Sequence, residues 1–350
     1  MAYSFELSLL SKYRTALMGI ATLRVLLWHS LQYGVEFPEP LRLLLVFLQR
    51  AIPSVPIFLF LSGIGCYYSL SKPHSYMTWL RKRAIRIFIP YALVLVIVRL
   101  LSLPTNHSSW AEWFMYLSTI RFWTHHEGLW FVALLTIIYP LAPGLFRILE
   151  SSRHRLITAI ILMAVILTAT HLPITIDGTL TGDIIHNLQY AGKFTVSFVI
   201  GMYIAPFIRR EVCVNALYII GGSAVFVLLF HFFLKDVFYA WLFIMPSVFV
   251  LCTCLKWLSE SSWIYTSFHW LGIVSLEAYV VNVEIRTLFK AYLAPWQSSP
   301  LLTGHFLDYA LVLIIGLILA QLCNRMSSIL ITRLPASWTS DLTRRSYVLK

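Results

Sequence analysis

The residue with the clearest chemical capacity is His29, near the end of the first apolar run, Thr15 to Ser30. Imidazole is largely neutral near pH 7 and is the commonest general base. At 1.5 Å per residue, His29 stands about 20 Å along a helix from the basic start of that run. Arg14, Met18, Thr22, Val25 and His29 follow at steps of three or four, so a helix places them on one stripe. A cation and a histidine thus share one face, which can line a single cavity. The competing reading of His29 is an interfacial histidine bonded to a neighbouring helix. Arg24, five residues before His29, points about 140° away from it. Its expected partner is an acid on another helix.

Further polar groups recur inside or beside apolar runs, where they are expensive and usually functional. Val55 to Gly65 carries Ser62, Gly63 and Gly65, small residues that let helices approach closely. Arg81, Lys82, Arg83 and Arg86 stand at the start of a later run. Arg83 and Arg86 are three apart, so both guanidinium groups can face one anion, although a plain basic cluster beside a membrane has the same composition. Glu127 lies next to Trp130-Phe131, and a carboxylate beside aromatic rings suits sugar stacking and hydroxyl hydrogen bonds. A belt of aromatics at a membrane surface explains Trp130 equally well. Ser275 to Asn282 places Glu277 and Tyr279 within an apolar stretch, with Glu277 doubling as a structural candidate to pair with Arg24. His125, His126 and Glu127 are adjacent in sequence and do not converge on one ion, so no metal is expected.

These residues need helices in a bilayer to position them. Of 350 residues, 59% are hydrophobic and 12% charged, and the mean hydropathy is +0.77. A soluble domain runs nearer to about 25% charged, and no soluble fold of this length hides so much apolar surface. The expected architecture is one all-α integral membrane domain over 1–350, with about ten transmembrane helices and both termini cytoplasmic. The runs lie near 15–33, 52–71, 84–102, 129–147, 155–172, 188–208, 214–234, 237–256, 268–287 and 305–329. With that topology eighteen Lys and Arg fall inside, eight outside, and Arg24 sits alone in the first span. This is the positive-inside pattern, so the net charge of +12 calls for no nucleic acid. The first run carries Arg24 and His29 with no cleavage pattern, and is expected to remain as a helix. Cys252 and Cys254 point to different faces, and Cys66, Cys213 and Cys323 are scattered, so neither a disulfide framework nor a zinc site is expected.

In their order along the chain, five segments resemble acyltransferase family 3, the bacterial membrane O-acyltransferases. They are G-I-A-x-L-x-V-L-x-x-H-S at 19–30, V-P-x-F-x-F-x-S-G at 55–63 and R-x-x-R-I at 83–87 before Pro90. L-W-F at 129–131 follows, with Tyr139-Pro140 downstream, and then S-L-E-x-Y at 275–279. The resemblance implies a multi-pass protein of the inner (plasma) membrane that takes acetyl-CoA from the cytoplasm and acylates a glycan at the outer face. It casts His29 as catalytic base or transient acyl carrier, with Arg83 and Arg86 contacting donor phosphates. Glu127, Trp130, Glu277 and Tyr279 stand as candidate acceptor contacts on their own residue types and placement. Two positions depart from the pattern. The family usually has Arg or Lys eleven residues before the histidine, where this chain has Met18; Arg14, one turn earlier on the stripe, is expected to reach into its place. The late helix has Asn282 where the family often has His, and no role is expected for it. A transporter, flippase or polymerase of lipid-linked sugars, or an inactive family member that binds without catalysis, are the rival readings. Twelve or more spans or inverted repeats would favour the transporter class, and the sequence displays neither. Donor chain length and the choice between monomer and homodimer are left open.

Overall fold

The computed structural model describes residues 4–32, 37–73, 75–102, 109–173, 179–222, 224, 244–258, 260–293, 306–335 and 338. A short strand β1 (Ser4–Glu6) leads to helices α1 (Ser8–Lys12), α2 (Arg14–Gln32), α3 (Glu39–Ala51), α4 (Ser54–Leu70) and α5 (Tyr76–Ser102). Short helices α6 (Trp110–Leu117) and α7 (Ile120–His125) precede α8 (Trp130–Ser151), α9 (Arg155–Thr170), α10 (Leu180–Gly192) and α11 (Thr195–Arg209). After strand β2 (Cys213–Asn215) come α12 (Ile244–Trp257), α13 (Trp263–Ile273), α14 (Ser275–Leu293) and α15 (Phe306–Thr332). β1 and β2 pair antiparallel, Phe5 opposite Val214, a small strand pair that the all-α expectation did not contain.

Two pairs of helices set the scaffold, and glycine explains both. A Cβ on Gly63 of α4 would fall on the Phe198 carbonyl oxygen of α11, and one on Gly201 would fall on that of Phe60. Gly19 of α2 meets the Phe268 carbonyl of α13 in the same way, and Gly272 meets that of Thr15. Bare backbone at both contacts lets the helices touch main chain to main chain, the close approach typical of helices packed in lipid. Around these pairs lie two buried clusters. One joins α1, α2, α4, the end of α11 and α12 through Leu17, Phe60, Ile64 and Val248. The other joins α5, α8, α14 and α15 through Tyr91, Val94, Val132, Ile138 and Val281.

Among the described residues, four helices are long and apolar enough to cross a membrane: Tyr76–Leu101, Trp130–Ser151, Leu180–Arg209 and Tyr309–Thr332. Three shorter apolar helices are Ser54–Leu70, Arg155–Thr170 and Ile244–Trp257. The outer faces of α9 and α15 expose Ile157, Ile161, Val165, Ile314 and Ile318 to more than half of their surface. Rows of exposed aliphatic side chains need hydrocarbon as their solvent. The run expected at 188–208 begins earlier, because α10 and α11 read as one apolar stretch. The run expected at 268–287 extends over both α13 and α14, which meet at Val274. Most of the seventh expected run (214–234) and the start of the eighth (237–243) lie outside the described residues, as do both chain ends. Within the seventh, β2 occupies the opening residues.

Candidate active site

The stripe on α2 faces inward. Thr22 and Val25 are buried, and Thr22 donates from Oγ1 to the Met18 carbonyl at 2.8 Å. Its two ends differ in character, and about 22 Å of helix separates Arg14 from His29 at 1.5 Å per residue.

At the far end, His29 is half-buried, and its Nδ1 lies 2.5 Å from Oδ1 of Asn282 on α14. Asn282 is itself buried. Tyr309 of α15 donates its hydroxyl to the Leu26 carbonyl, one turn before His29, and so ties α2 to the same wall. Tyr279 precedes Asn282 by one turn, and its ring meets Phe131 edge-on at 5.9 Å. The late-helix and L-W-F segments, distant in sequence, therefore touch. Glu277 goes elsewhere: its Oε1 accepts from Asn324 Nδ2 at 2.9 Å and Ser327 Oγ at 3.4 Å, both on α15. The carboxylate weighed as a partner for Arg24 is thus engaged by α15. Arg24 lies 5.9 Å over the Trp28 ring. It lines a cavity of about 280 Å³ with Leu23, Leu27, Leu48, Leu255 and Phe268, on the side of α2 away from the stripe.

At the basic end, α2, α4 and α5 meet around Gly65. Arg83 Nη2 donates to the Gly65 carbonyl at 2.9 Å and to Ser69 Oγ at 2.6 Å. Its guanidinium lies 5.6 Å from the Trp79 ring and 5.8 Å from that of Tyr139. The Arg14 guanidinium packs against the same bare stretch of α4, since a Cβ at Gly65 would come within 2.8 Å of its Nη2. Arg14 and Arg83 are therefore brought together. Arg86 is not: it is exposed, whereas Arg83 turns into the bundle. Arg155, which the sequence did not single out, adds a further cation nearby. It bonds Glu150 and the Met202 carbonyl, the latter at 3.1 Å, and lies 5.3 Å over the Tyr67 ring. Arg14 and Arg83 thus share one apolar bundle end, Arg83 resting on neutral oxygens and rings, while Arg155 is paired with the Glu150 carboxylate.

Glu127 and Trp130 flank a tight corner beside α7. Thr119, His126 and Gly128 all have positive φ, at 63°, 54° and 96°. Glu127 Oε2 accepts from Arg121 Nε at 2.8 Å and Tyr116 Oη at 3.4 Å. The carboxylate's hydrogen bond holds the Arg121 guanidinium above its ordinary pKa. Trp130 packs on Phe194 at 5.1 Å and Tyr190 at 5.5 Å. His126 bonds Asn187, whose amide nitrogen donates to the Phe122 and Trp123 carbonyls, while His125 Nδ1 faces Thr124 Oγ1 at 2.6 Å. The two imidazoles diverge, and no cluster of three or more His, Cys, Asp or Glu capable of holding a metal occurs among the described residues. Asn187 and Arg155 are among the polar residues at these sites that the sequence did not single out, and Asn282 was set aside there as a departure from the family pattern. Asn282 alone left a signal, one turn after Tyr279.

The model of an acyltransferase domain family, acyltransferase family 3, matches residues 15–325, nearly the whole chain and every helix described above from α2 through most of α15. Comparison with curated proteins and with solved structures gave no match. On the extent of the match this membrane protein belongs to acyltransferase family 3.

Proposed function

We propose that the protein moves an acyl group, acetyl in the simplest case, from acyl-CoA in the cytoplasm to a hydroxyl of an envelope or secreted glycan. The observation that carries this reading is the stripe on α2, with Arg14 beside Arg83 at one end and the Asn282-bonded His29 at the other. Coenzyme A is large and polyanionic, so it stays on its own side of a bilayer, whereas an acyl group is small. The guanidinium groups hold the phosphates, and the pantetheine arm runs along the stripe toward His29. There His29 takes the proton of the acceptor hydroxyl as its oxygen attacks the thioester carbon. The C–S bond breaks, and the thiolate collects a proton to leave as free coenzyme A. In the covalent variant the imidazole is acylated first and then deacylated by the sugar hydroxyl; double-displacement kinetics distinguish that route. The acceptor approaches along Trp130 and Tyr279, with Glu127 at the rim. The inner membrane is the compartment where such a donor and acceptor meet.

Glycan ester content in cells producing the chain or its His29→Ala variant tests the reading. Esters that depend on the chain and vanish with His29→Ala support it. Equal ester content, with both proteins present and folded in the membrane, overturns it.

A further inference from the structure

The contact between His29 and Asn282 specifies more than position. A neutral imidazole has one N–H and one lone pair, and either nitrogen can carry the proton. Asn282 presents its side-chain oxygen to Nδ1 at 2.5 Å. An amide oxygen only accepts, so the proton of the ring belongs on Nδ1 and the lone pair on Nε2. The partners are held from both sides. Asn282 is 4% exposed, and its helix is pinned to α15 through Glu277, Asn324 and Ser327. α2 is pinned by the Tyr309 hydroxyl at Leu26. A flipped amide would offer its NH2 group instead and would put the proton on Nε2.

We infer that Asn282 is a positioning residue that locks His29 in the Nδ1–H tautomer and leaves Nε2 to act on the acceptor hydroxyl or the acyl group. The inference rests on the reading of His29 as the reactive base. An amide does this without placing a second charge beside the ring, unlike a carboxylate in the same role. Without an acceptor at Nδ1 the two tautomers compete and the ring can turn, so the reactive nitrogen is presented for part of the time only.

The deciding measurement is nitrogen NMR of the full chain in lipid, labelled with ¹⁵N-histidine, the His29 signals being assigned by their loss in His29→Gln. The expected wild-type spectrum has a protonated Nδ1 and an unprotonated Nε2 at neutral pH. Asn282→Leu, similar in size but without an acceptor, is expected to lose that preference. Its kcat should fall about 10- to 100-fold, less than the roughly 10²- to 10⁴-fold that losing the general base itself would cost, while KM for the donor changes little. Asn282→Asp restores the acceptor, and with it the Nδ1–H signature and most of the lost kcat. A wild-type Nε2–H spectrum overturns the inference even if His29→Ala is inactive. Equal kcat in the wild-type and Leu proteins overturns it as well. An Nδ1–H spectrum together with a fully active His29→Ala protein would instead sink the proposed function and leave the tautomer assignment standing. Should Asn282→Leu fail to fold, the wild-type spectrum still decides.

Discussion

Arg83 at the basic end of α2 and Arg121 at the corner around Glu127 are both half-buried against neighbours, yet their charges are treated in opposite ways. Arg83 bonds a carbonyl and a hydroxyl and lies against two aromatic rings, all neutral groups. Arg121 is matched by the Glu127 carboxylate at 2.8 Å. Neutral partners fix a guanidinium in place while leaving its charge to act on an arriving anion; a carboxylate cancels it. The first arrangement suits a polyanionic ligand, and the second suits a rim that must stay shaped and unreactive. His29 likewise meets a neutral partner, the Asn282 amide.

The sharpest break of this contrast is at the reacting group. His29→Ala should reduce acyl transfer by about 10²-fold or more, the scale of general base catalysis, with donor affinity unchanged because the proposed donor seat at Arg14 and Arg83 lies about 22 Å away. Single-turnover transfer and acetyl-CoA binding, measured on the same preparation, separate the two quantities. A matching fall in donor affinity would show that the ends are not distinct.

The next largest effect is expected at Arg83. Removing one charge-assisted contact costs about 1.5–3 kcal/mol, so Arg83→Ala should weaken acetyl-CoA binding roughly ten-fold to a hundred-fold. Arg86→Ala, on an exposed side chain, should change it less than about three-fold by the weak energetics of exposed charges. Calorimetry in detergent, with thermal stability as control, ranks the two. Equal losses would restore the picture of a paired R-x-x-R clamp.

That prediction marks where the sequence stops being legible. The stripe from Arg14 to His29 is visible because it needs only the period of one helix, and Arg24 leaves that face for the same reason. Ser62 and Gly63 announce close packing by their size, and α11 meets α4 there. A spacing of three, by contrast, places Arg83 and Arg86 near each other without saying which one faces the bundle; the rotation of α5 against α4 decides that. Asn282 was passed over because its partner lies 253 residues away, and a departure from the usual histidine reads in sequence as a loss. In space the amide makes the contact that a polar side chain there can make. Glu277 shows another limit: a carboxylate in an apolar run does not say which helix it faces, and here Asn324 and Ser327 of α15 both bond its Oε1.

Arg14 offers a smaller test. The combined variant Arg14→Met with Met18→Arg moves the guanidinium one turn, about 6 Å, along the stripe. The moved cation still lies on the stripe but leaves the surface of α4 at Gly65. Acetyl-CoA affinity is expected to stay within about five-fold of wild type, near 1 kcal/mol, whereas Arg14→Met alone should lose more. Donor binding of the single and combined variants, compared side by side, checks this. If the combined variant binds no better than Arg14→Met, the cation acts from its seat on Gly65 and not through the stripe.

The smallest effect belongs to the rim. Glu127→Gln keeps the shape of the side chain and its contact with Tyr116, but removes the charge that balances Arg121. Exposed ion pairs contribute about 0.2–1 kcal/mol, so stability should hardly move. The freed guanidinium then resembles Arg83 in having no carboxylate against it, and the rim gains attraction for anions. Acceptor KM is therefore expected to fall a few-fold for a glycan bearing carboxylates and to stay level for a neutral one, with kcat constant for both. A drop in kcat for both acceptors would mean that Glu127 takes part in the chemistry, and the division between a charged seat and a cancelled rim would have to be redrawn.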